Sequence, residues 1–323
     1  MDQIPPPEAA ADVLLAPTSR CDVETLLARG ALEGGFIISG PRGQGKATLA
    51  YQLAATHLSG GDRLGAIDPK VRSLMAAGSH PDILTLQRTE NEKTGKLRQE
   101  IDVDAVRHVI GRLQTTSTNG RRVVIVDLAD DLGRSAANSL LKMLEEPPKG
   151  TCLLLLSLAP SRLLPTLISR CRRIPLRPVD DADIAAWLKD QTDLAPTDVE
   201  RFVGDACGAP GQALRLAVGE GRGALDLADA YLTSVKGGGD ILAASKPFAL
   251  KANEAVADEA VALVLARLAR QVTDSAGGTD GPAALRAYDA ARRVFAEAGT
   301  ADRSQTAWMA GLAARQALRR TSA

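Results

Sequence analysis

Short apolar runs and helix-periodic segments alternate along the first half of the chain. Predominantly apolar runs of three to five residues occur at 36–38, 83–86, 123–126 and 152–156. The segments between them place apolar residues every three or four positions, which indicates helices with one buried face. Strands that are apolar throughout are typical of a parallel sheet covered by helices on both faces. The pattern therefore predicts an α/β domain with a parallel sheet.

One stretch in the middle of the chain carries the densest set of predicted elements. A strand at 123–126 ends on Asp127, a helix follows at 136–146, and a second strand covers 152–156. The stretch closes on a turn that contains Arg170. In open α/β sheets, ligands bind outside the carboxyl ends of the strands. We therefore expect the acidic strand end and the arginine-bearing turn to lie at that edge of the sheet.

The second half of the chain has a different pattern. From about residue 180 the strands stop and amphipathic helices begin, each with one apolar stripe that must be buried against something. The stripe of one long helix comprises Val256, Ala260, Val264 and Leu268, and that of the last helix comprises Trp308 and Leu312. The predicted division is 1–178 for a P-loop α/β domain, 179–221 for a small helical lid and 222–323 for an all-α C-terminal domain.

A glycine-rich motif follows the first strand directly. Residues 40–48 read Gly-Pro-Arg-Gly-Gln-Gly-Lys-Ala-Thr, which fits G-x-x-x-x-G-K, and a helical pattern begins behind them. In this order, glycines let backbone N–H groups surround a phosphate, the helix N-terminus adds positive charge, and the lysine reaches the outer phosphates. The alternative is a glycine-rich turn that holds no ligand. The predicted nucleotide-binding residues are Gly40, Gly43, Gly45, Lys46, Ala47, Thr48 and Asp127.

Two positions lack groups that ATP hydrolysis uses. Ala47 stands where a Ser or Thr hydroxyl would hold Mg²⁺, and Thr48 is one place too late, about 100° further around the helix. Leu128 follows the acidic strand end, where a carboxylate would orient the attacking water. Asp130 and Asp131 come next, and we expect them to cap the following helix. The alternative is that one of these two acids replaces the missing carboxylate.

Three local expectations concern other segments. Residues 1–16 are rich in Pro and Ala, and we expect a loosely held arm. Residues 101–103 predict a short strand, with Asp104 as the N-cap of the helix that follows. The charged residues of the central helix are expected to form a solvated face: Lys142, Glu145 and Glu146.

Composition limits the remaining function classes. Lys+Arg and Asp+Glu both number 39, so there is no global positive field for nucleic acid, and aromatic residues, at 3%, are too few for a stacking platform. The 4 cysteines are scattered without a Cys-x-x-Cys pair, so we expect reduced thiols and no zinc. No apolar run approaches the ~20 residues of a membrane span, and the first residues lack the basic segment of a signal peptide. We therefore expect a cytoplasmic protein.

The motifs in combination resemble a known family. The chain is similar to the clamp-loader AAA+ subunits of bacterial DNA polymerase III over about residues 20–320, more weakly past about 220. The features that carry the resemblance are the glycine-rich motif at 40–48, Asp127, the segment Leu140-Leu141-Lys142-Met143-Leu144-Glu145-Glu146-Pro147-Pro148, and Ser169-Arg170-Cys171. The resemblance implies a P-loop AAA+ domain, a helical lid and a C-terminal collar domain that joins subunits into a ring.

Within that family the chain is most similar to the delta-prime class, the stator that closes the ring. Ala47 and Leu128 point to this class, as does Gly211, which falls where motor subunits carry a nucleotide-sensing lid arginine. The resemblance implies that Arg170 is an arginine finger that acts on ATP bound by a neighbouring subunit. It is compatible with ATP or ADP bound near Lys46 without turnover. The four-cysteine zinc module that many relatives place between the phosphate loop and Asp127 is absent from this sequence, so no zinc is expected.

The resemblance further implies a subunit of a nucleotidyltransferase complex with no independent catalysis. Its partners would be the gamma/tau-type motor subunits and the delta subunit, with the sliding clamp and primed DNA reached through the complex and no membrane. Two alternatives are an ATP-hydrolysing motor subunit of the same type of complex and a stand-alone nucleotide-binding P-loop protein.

Overall fold

The computed structural model describes residues 4–30, 32–90, 95, 98–113, 117, 119–218, 220–250, 254–275, 281–297 and 302–319. The strands in chain order are β1 (Gly34–Ser39), β2 (Ile83–Leu86), β3 (Arg122–Val126), β4 (Thr151–Ser157) and β5 (Cys171–Pro175). The helices in chain order are α1 (Pro17–Leu27), α2 (Lys46–Ser59), α3 (Pro69–Ala76), α4 (Val103–Leu113), α5 (Arg134–Glu145), α6 (Pro165–Ile168), α7 (Asp181–Gln191), α8 (Pro196–Ala206), α9 (Pro210–Ala217), α10 (Glu220–Gly237), α11 (Ile241–Ser245), α12 (Glu254–Asp274), α13 (Gly281–Glu297) and α14 (Arg303–Arg319).

The chain divides into two compact units. The α/β unit comprises Pro5–Trp187 together with Cys207–Gln212. The helical unit comprises Met1–Ile4, Leu188–Ala206 and Ala213–Ala323. The finer division into three domains at 178/179 and 221/222 stays a prediction.

Five parallel strands form the sheet of the α/β unit, in the order β2-β3-β4-β1-β5. Strands β3 and β4 are buried along their whole length, as is typical of strands with apolar centres in a parallel sheet covered on both faces. Strand β1 lies between β4 and β5, with Phe36 in register with Leu154 on one side and Arg172 on the other. The predicted α/β fold with a parallel sheet is confirmed.

Alternate strand residues contribute to two separate apolar layers. On one face, Phe36 and Ile38 pack with residues of α1, α2 and α3. On the other face, Ile37 packs with residues of α4, α5 and α6. Because successive side chains of a strand point to opposite faces, every residue of a covered strand enters one layer or the other. The packed layers hold the loops at both ends of the sheet in place.

The N-terminal arm packs against the α/β unit. Residues 7–9 form a 3-10 helix, and Val13 is 4% exposed. The Gln52 side chain of α2 donates hydrogen bonds of 2.9 and 3.1 Å to the carbonyls of Ala10 and Ala11. The expectation of a loosely held arm is therefore wrong for residues 5–16. A buried side-chain donor on a distant helix holds the arm, which the Pro- and Ala-rich sequence does not reveal.

The region before α4 also differs from expectation. Ile101 makes one isolated parallel bridge to Leu132 instead of a strand. The Asp102 side chain accepts a 2.9 Å hydrogen bond from the backbone N–H of Ala105, so Asp102 rather than Asp104 caps the helix. The helix begins two residues earlier than predicted, at Val103.

The described residues beyond β5 form helices and no further strand, in agreement with the predicted change of pattern. In α12, Ala260, Val264 and Leu268 are buried as predicted, whereas Val256 is half-buried. Within the described part of the chain, every helix is too short or too polar to cross a membrane.

The last helix buries a different stripe from the predicted one. Trp308 and Leu312 are only half-buried. The fully covered positions of α14 are small residues: Ala307, Ala310 and Ala314. Small side chains allow close helix packing, and the hydroxyl of Tyr231 donates a 2.6 Å hydrogen bond to the carbonyl of Ala307. The predicted stripe of Trp308 and Leu312 is therefore wrong, because α14 buries its small residues instead of its large apolar ones.

Candidate functional site: the phosphate loop and the arginine turn

The phosphate loop, residues 40–48, lies at the carboxyl ends of the central strands. It follows β1, whose last residue Ser39 pairs with Ser157 at the end of β4. The backbone N–H of Gly40 donates a 3.3 Å hydrogen bond to the carbonyl of Ser157. Asp127 follows the neighbouring strand β3 at the same edge. The sheet therefore brings the predicted phosphate loop and the predicted acid to one edge, as expected for this class of fold.

The phosphate loop has the backbone conformation of an anion-binding loop. Gly43 and Gly45 have φ of 77° and 81°, in the left-handed region that favours glycine. Helix α2 begins immediately behind them at Lys46, and its first turn has no side-chain cap. Uncapped N–H groups and the helix dipole attract anions at such a position. This backbone geometry fits a phosphate group.

The lysine of the loop is buried and engaged. Lys46 is 7% exposed, and its ammonium donates hydrogen bonds of 2.8 Å to the carbonyl of Gly40 and 2.7 Å to that of Pro41. An ammonium group has three donors and no acceptor. A phosphate in the loop would compete with these two carbonyls for the same ammonium.

Asp127 belongs to the same electrostatic environment. It is half-buried, and burial raises the pKa of its carboxyl group. The nearby charge of Lys46 lowers this pKa, and that of Asp131 raises it. A Mg²⁺ ion would also require a hydroxyl from the loop. Ala47 instead packs against the apolar core, so the residues fit a phosphate better than a metal–phosphate complex.

Asp130 has a role that the sequence did not reveal. Its carboxylate accepts hydrogen bonds from the hydroxyl of Ser157 at 3.2 Å and from the backbone N–H groups of Leu158 at 2.8 Å and Ala159 at 3.0 Å. The prediction that it caps the next helix is wrong, because α5 begins after Gly133 without a side-chain cap. Asp130 thus joins β3 to β4, and both its oxygens are engaged.

The second acid of this pair is engaged as well. Asp131 forms a 3.0 Å ion pair with Arg88, and it does not cap α5 either. Leu128, between these acids and the end of β3, is half-buried. Asp130 and Asp131 therefore bind neighbouring residues at the sheet edge, and Asp127 is the acid of this segment whose pKa the charge of Lys46 lowers.

Arg170 lies at the opposite end of the sheet from the phosphate loop. It directly precedes β5, whose first residue Cys171 pairs with Gly35 near the start of β1. The prediction that the arginine-bearing turn lies at the carboxyl ends of the strands is wrong, because β5 begins rather than ends at this turn. Six strand steps separate the position beside Arg170 from Gly40, which is roughly 20 Å at about 3.3 Å per residue. No arginine side chain spans that length.

The arginine turn is supported by a close backbone approach at Gly35. A Cβ atom on Gly35 would lie 2.4 Å from Cδ2 of Leu144, 2.7 Å from Sγ of Cys171 and 3.5 Å from the carbonyl oxygen of Arg170. Burial raises the pKa of the Cys171 thiol to about 11. A glycine on β1 thus lets the end of α5 and the arginine turn approach the sheet.

The guanidinium of Arg170 has contacts on two sides. It forms a 2.6 Å ion pair with Glu145, the last residue of α5. It also donates hydrogen bonds of 3.1 Å to the carbonyl of Thr166 and 3.4 Å to the hydroxyl of Ser169. The Arg170 side chain is 35% exposed. The expectation that Glu145 belongs only to a solvated face is wrong, since an element 25 positions further along the chain supplies its partner.

A family of replication proteins matches this region. The family described as DNA polymerase III, delta subunit matches residues 19–180, half of the 323-residue chain, including the phosphate loop, Asp127 and Arg170. The chain belongs to this family. The delta-family match extends from α1 to the residue before α7, which is nearly the whole contiguous part of the α/β unit.

Individual relatives match a similar stretch. DNA polymerase III subunit delta' of Pseudomonas aeruginosa is 43% identical over 139 residues, which make up 42% of this chain and 40% of that protein. Subunit delta' of Escherichia coli is 38% identical over 148 residues, 46% of this chain and 42% of that protein. Subunit tau of Escherichia coli is 28% identical over 174 residues, 50% of this chain and 24% of that protein. The chain spans less than half the length of these curated relatives.

Proposed function

We propose that this chain is a delta-prime (stator) subunit of the DNA polymerase III clamp-loader complex. It helps to load the sliding clamp onto primed DNA, and it supplies Arg170 to ATP bound by a neighbouring subunit. It has little or no ATP hydrolysis of its own. Membership of the delta family and 43% identity over 139 residues to a subunit named delta' support this proposal.

The position of Arg170 is the observation that carries the proposal. Its guanidinium is partly exposed and lies at the amino end of β5, whereas the phosphate loop follows the carboxyl end of β1. An arginine that stabilises the charge of a transferring phosphoryl group must contact its oxygens. Because Arg170 cannot reach its own phosphate loop, the phosphate that it serves belongs to another molecule.

The surroundings of the phosphate loop support low intrinsic turnover. Ala47 provides no hydroxyl for Mg²⁺, and Leu128 provides no carboxylate for water. Asp130, the acid that would have to replace this carboxylate, accepts three hydrogen bonds from the end of β4. These engagements argue against the motor-subunit alternative.

The proposed partners are the gamma/tau-type motor subunits and the delta subunit, with the sliding clamp and primed DNA reached through the complex. Similarity to a tau subunit over half of the chain supports a place among subunits built from related domains. Such a subunit would act in the cytoplasm, at the replisome.

Reconstitution tests this proposal. Complexes are assembled from the motor subunits, the delta subunit and this chain as wild type, Arg170→Ala or Arg173→Ala. Arg173 is a matched control because it is an exposed arginine three residues further on, in β5. DNA-stimulated ATP hydrolysis and clamp loading should fall with Arg170→Ala and stay near wild type with Arg173→Ala. Unchanged activity of the Arg170→Ala complex would refute the proposed role.

Nucleotide binding without turnover is a second function that the geometry of the loop favours. The left-handed glycines, the uncapped start of α2 and the charge of Lys46 all suit a phosphate. Calorimetric titration of the purified chain with ADP and ATP tests it, with Lys46→Ala as the variant that should lose binding. Heat signals that are the same for both proteins would rule out this loop as the binding site.

A further inference from the structure

The ion pair between Glu145 and Arg170 joins the two motifs that carry the family resemblance. Glu145 ends α5 within the segment that runs to the proline pair, and Arg170 is the middle residue of the Ser-Arg-Cys turn. Their side chains meet at 2.6 Å with 47% and 35% of their surfaces exposed. The pair lies on the surface, where a third group has access to it.

The contacts of Arg170 fix the plane of its guanidinium. One terminal nitrogen (Nη1) donates to the carbonyl of Thr166 and the hydroxyl of Ser169, and the other (Nη2) meets the Glu145 carboxylate. A guanidinium has five N–H donors in one rigid fork. Holding both terminal nitrogens orients the fork while other donors stay available for phosphate oxygens.

The location of Glu145 explains why the pair forms. A carboxylate at the C-terminus of a helix faces the negative end of the helix dipole, which is unfavourable. The charge of Arg170 compensates both the carboxylate and the helix end. Because ion pairs this exposed are weak, the arginine is oriented without being trapped.

We propose that Glu145 is a positioning residue that holds Arg170 ready for phosphate on a neighbouring subunit. This inference rests on the proposed function of Arg170 in trans. Without the Glu145 carboxylate, the arginine samples other rotamers, and the productive geometry forms less often. Misplacement of a catalytic group by about 1 Å can reduce a rate by up to 10²-fold, so we expect about a tenfold slower ATP hydrolysis at the one site that this chain adjoins.

The test is a double-mutant cycle in the reconstituted complex. The variants are Glu145→Ala, Arg170→Ala, the double variant, Glu145→Asp and the control Glu146→Gln. Glu146 is the neighbouring exposed carboxylate, and its side chain makes no hydrogen bond or ion pair among the described residues. For each complex, kcat and KM for ATP are measured with primed DNA, and thermal unfolding of each isolated variant confirms that it is folded.

The expected result is a lower kcat for Glu145→Ala with KM for ATP changed less than about twofold, because the contact is made in the transition state. Glu145→Asp should restore part of the loss, and Glu146→Gln should behave as wild type. Glu145→Ala should cause no further loss when Arg170 is already alanine, since interacting residues are not additive.

Other outcomes separate the two claims. If Arg170→Ala lowers kcat but Glu145→Ala does not, Glu145 is not a positioning residue and the function in trans stands. If Glu145→Ala lowers kcat by the same factor whether residue 170 is arginine or alanine, Glu145 acts independently of Arg170 and the inference is overturned. If Arg170→Ala has no effect, the proposed function itself fails.

Discussion

The backbone N–H of Gly211 donates a 2.8 Å hydrogen bond to the carbonyl of Gly43 in the phosphate loop. A Cβ atom on Gly211 would lie 2.9 Å from that carbonyl oxygen, and one on Gly43 would lie 2.6 Å from the backbone nitrogen of Gln212. Both backbones therefore approach more closely than side chains permit. The close approach therefore favours glycine at both positions.

Gly43→Ala should be markedly destabilising. The left-handed φ costs about 1–2 kcal/mol for an L-residue, and overpacking adds about 1–3 kcal/mol, so the free energy of unfolding should fall by about 2–5 kcal/mol. Chemical denaturation of the purified chain measures this. Gly78→Ala is the control, because Gly78 has φ of 62° but no atom within 4 Å of the added Cβ. Equal losses for the two variants would show that the contact with Gln212 contributes nothing.

Asp130→Ala should also lower the free energy of unfolding. It leaves the buried hydroxyl of Ser157 and two backbone N–H groups without their acceptor, at a cost of about 2–4 kcal/mol given ~1–3 kcal/mol for an unsatisfied buried group. Asp131→Ala is the control, because it breaks only a partly exposed ion pair with Arg88, worth about 0–1 kcal/mol. A larger loss for Asp131→Ala, measured by denaturation, would contradict the structural role of Asp130.

Gly35→Ala should lower the free energy of unfolding by overpacking the residues beneath the arginine turn. The added methyl group would overlap Cδ2 of Leu144 and Sγ of Cys171, and overpacking of this kind costs about 1–3 kcal/mol. Because one of the two clashes is with the sulfur, Cys171→Ala in the same chain should recover part of the stability. Thermal or chemical unfolding of the single and double variants measures the recovery. Strict additivity of the two substitutions would mean that the residues do not meet.

The thiols should differ in their reaction with iodoacetamide. Cys21 and Cys207 are exposed, whereas Cys152 is buried and Cys171 half-buried. Since burial raises the pKa of Cys171 to about 11, its thiol stays protonated at pH 8 and reacts as the pH approaches 11. Peptide mass spectrometry of the folded chain should find Cys21 and Cys207 modified first at pH 8, and all four in denaturant. Equal labelling of Cys171 and Cys21 at pH 8 would contradict this.

The sequence predicts the sheet and the phosphate loop because both depend on local patterns. The apolar runs of β3 and β4 and the glycines before Lys46 are contiguous in the chain, so periodicity and motif identify them. The same local information places Asp127 at a strand end. These parts of the α/β unit agree with the structure.

The contacts that complete the site were missed because they join distant residues. Gly211 meets Gly43, Asp130 meets the end of β4, and Glu145 meets Arg170. A helix cap and a surface acid were the locally reasonable roles for Asp130 and Glu145, but tertiary partners replaced those roles. Arg170 lies at the amino ends of the strands because β5 begins directly after it and runs parallel to β1. The direction of β5 relative to β1 is a property of the folded sheet, so local sequence does not predict it.

Single-turnover ATP hydrolysis by a reconstituted complex tests most directly whether Arg170 serves a neighbouring subunit. The complex contains wild-type motor subunits and either wild-type or Arg170→Ala chain, and hydrolysis is followed by rapid quench on primed DNA. We predict that with Arg170→Ala a fraction of the bound ATP, corresponding to the one site that this chain adjoins, hydrolyses ~10³-fold or more slowly while the rest keeps its rate. A time course identical to that of the wild-type complex would contradict the account.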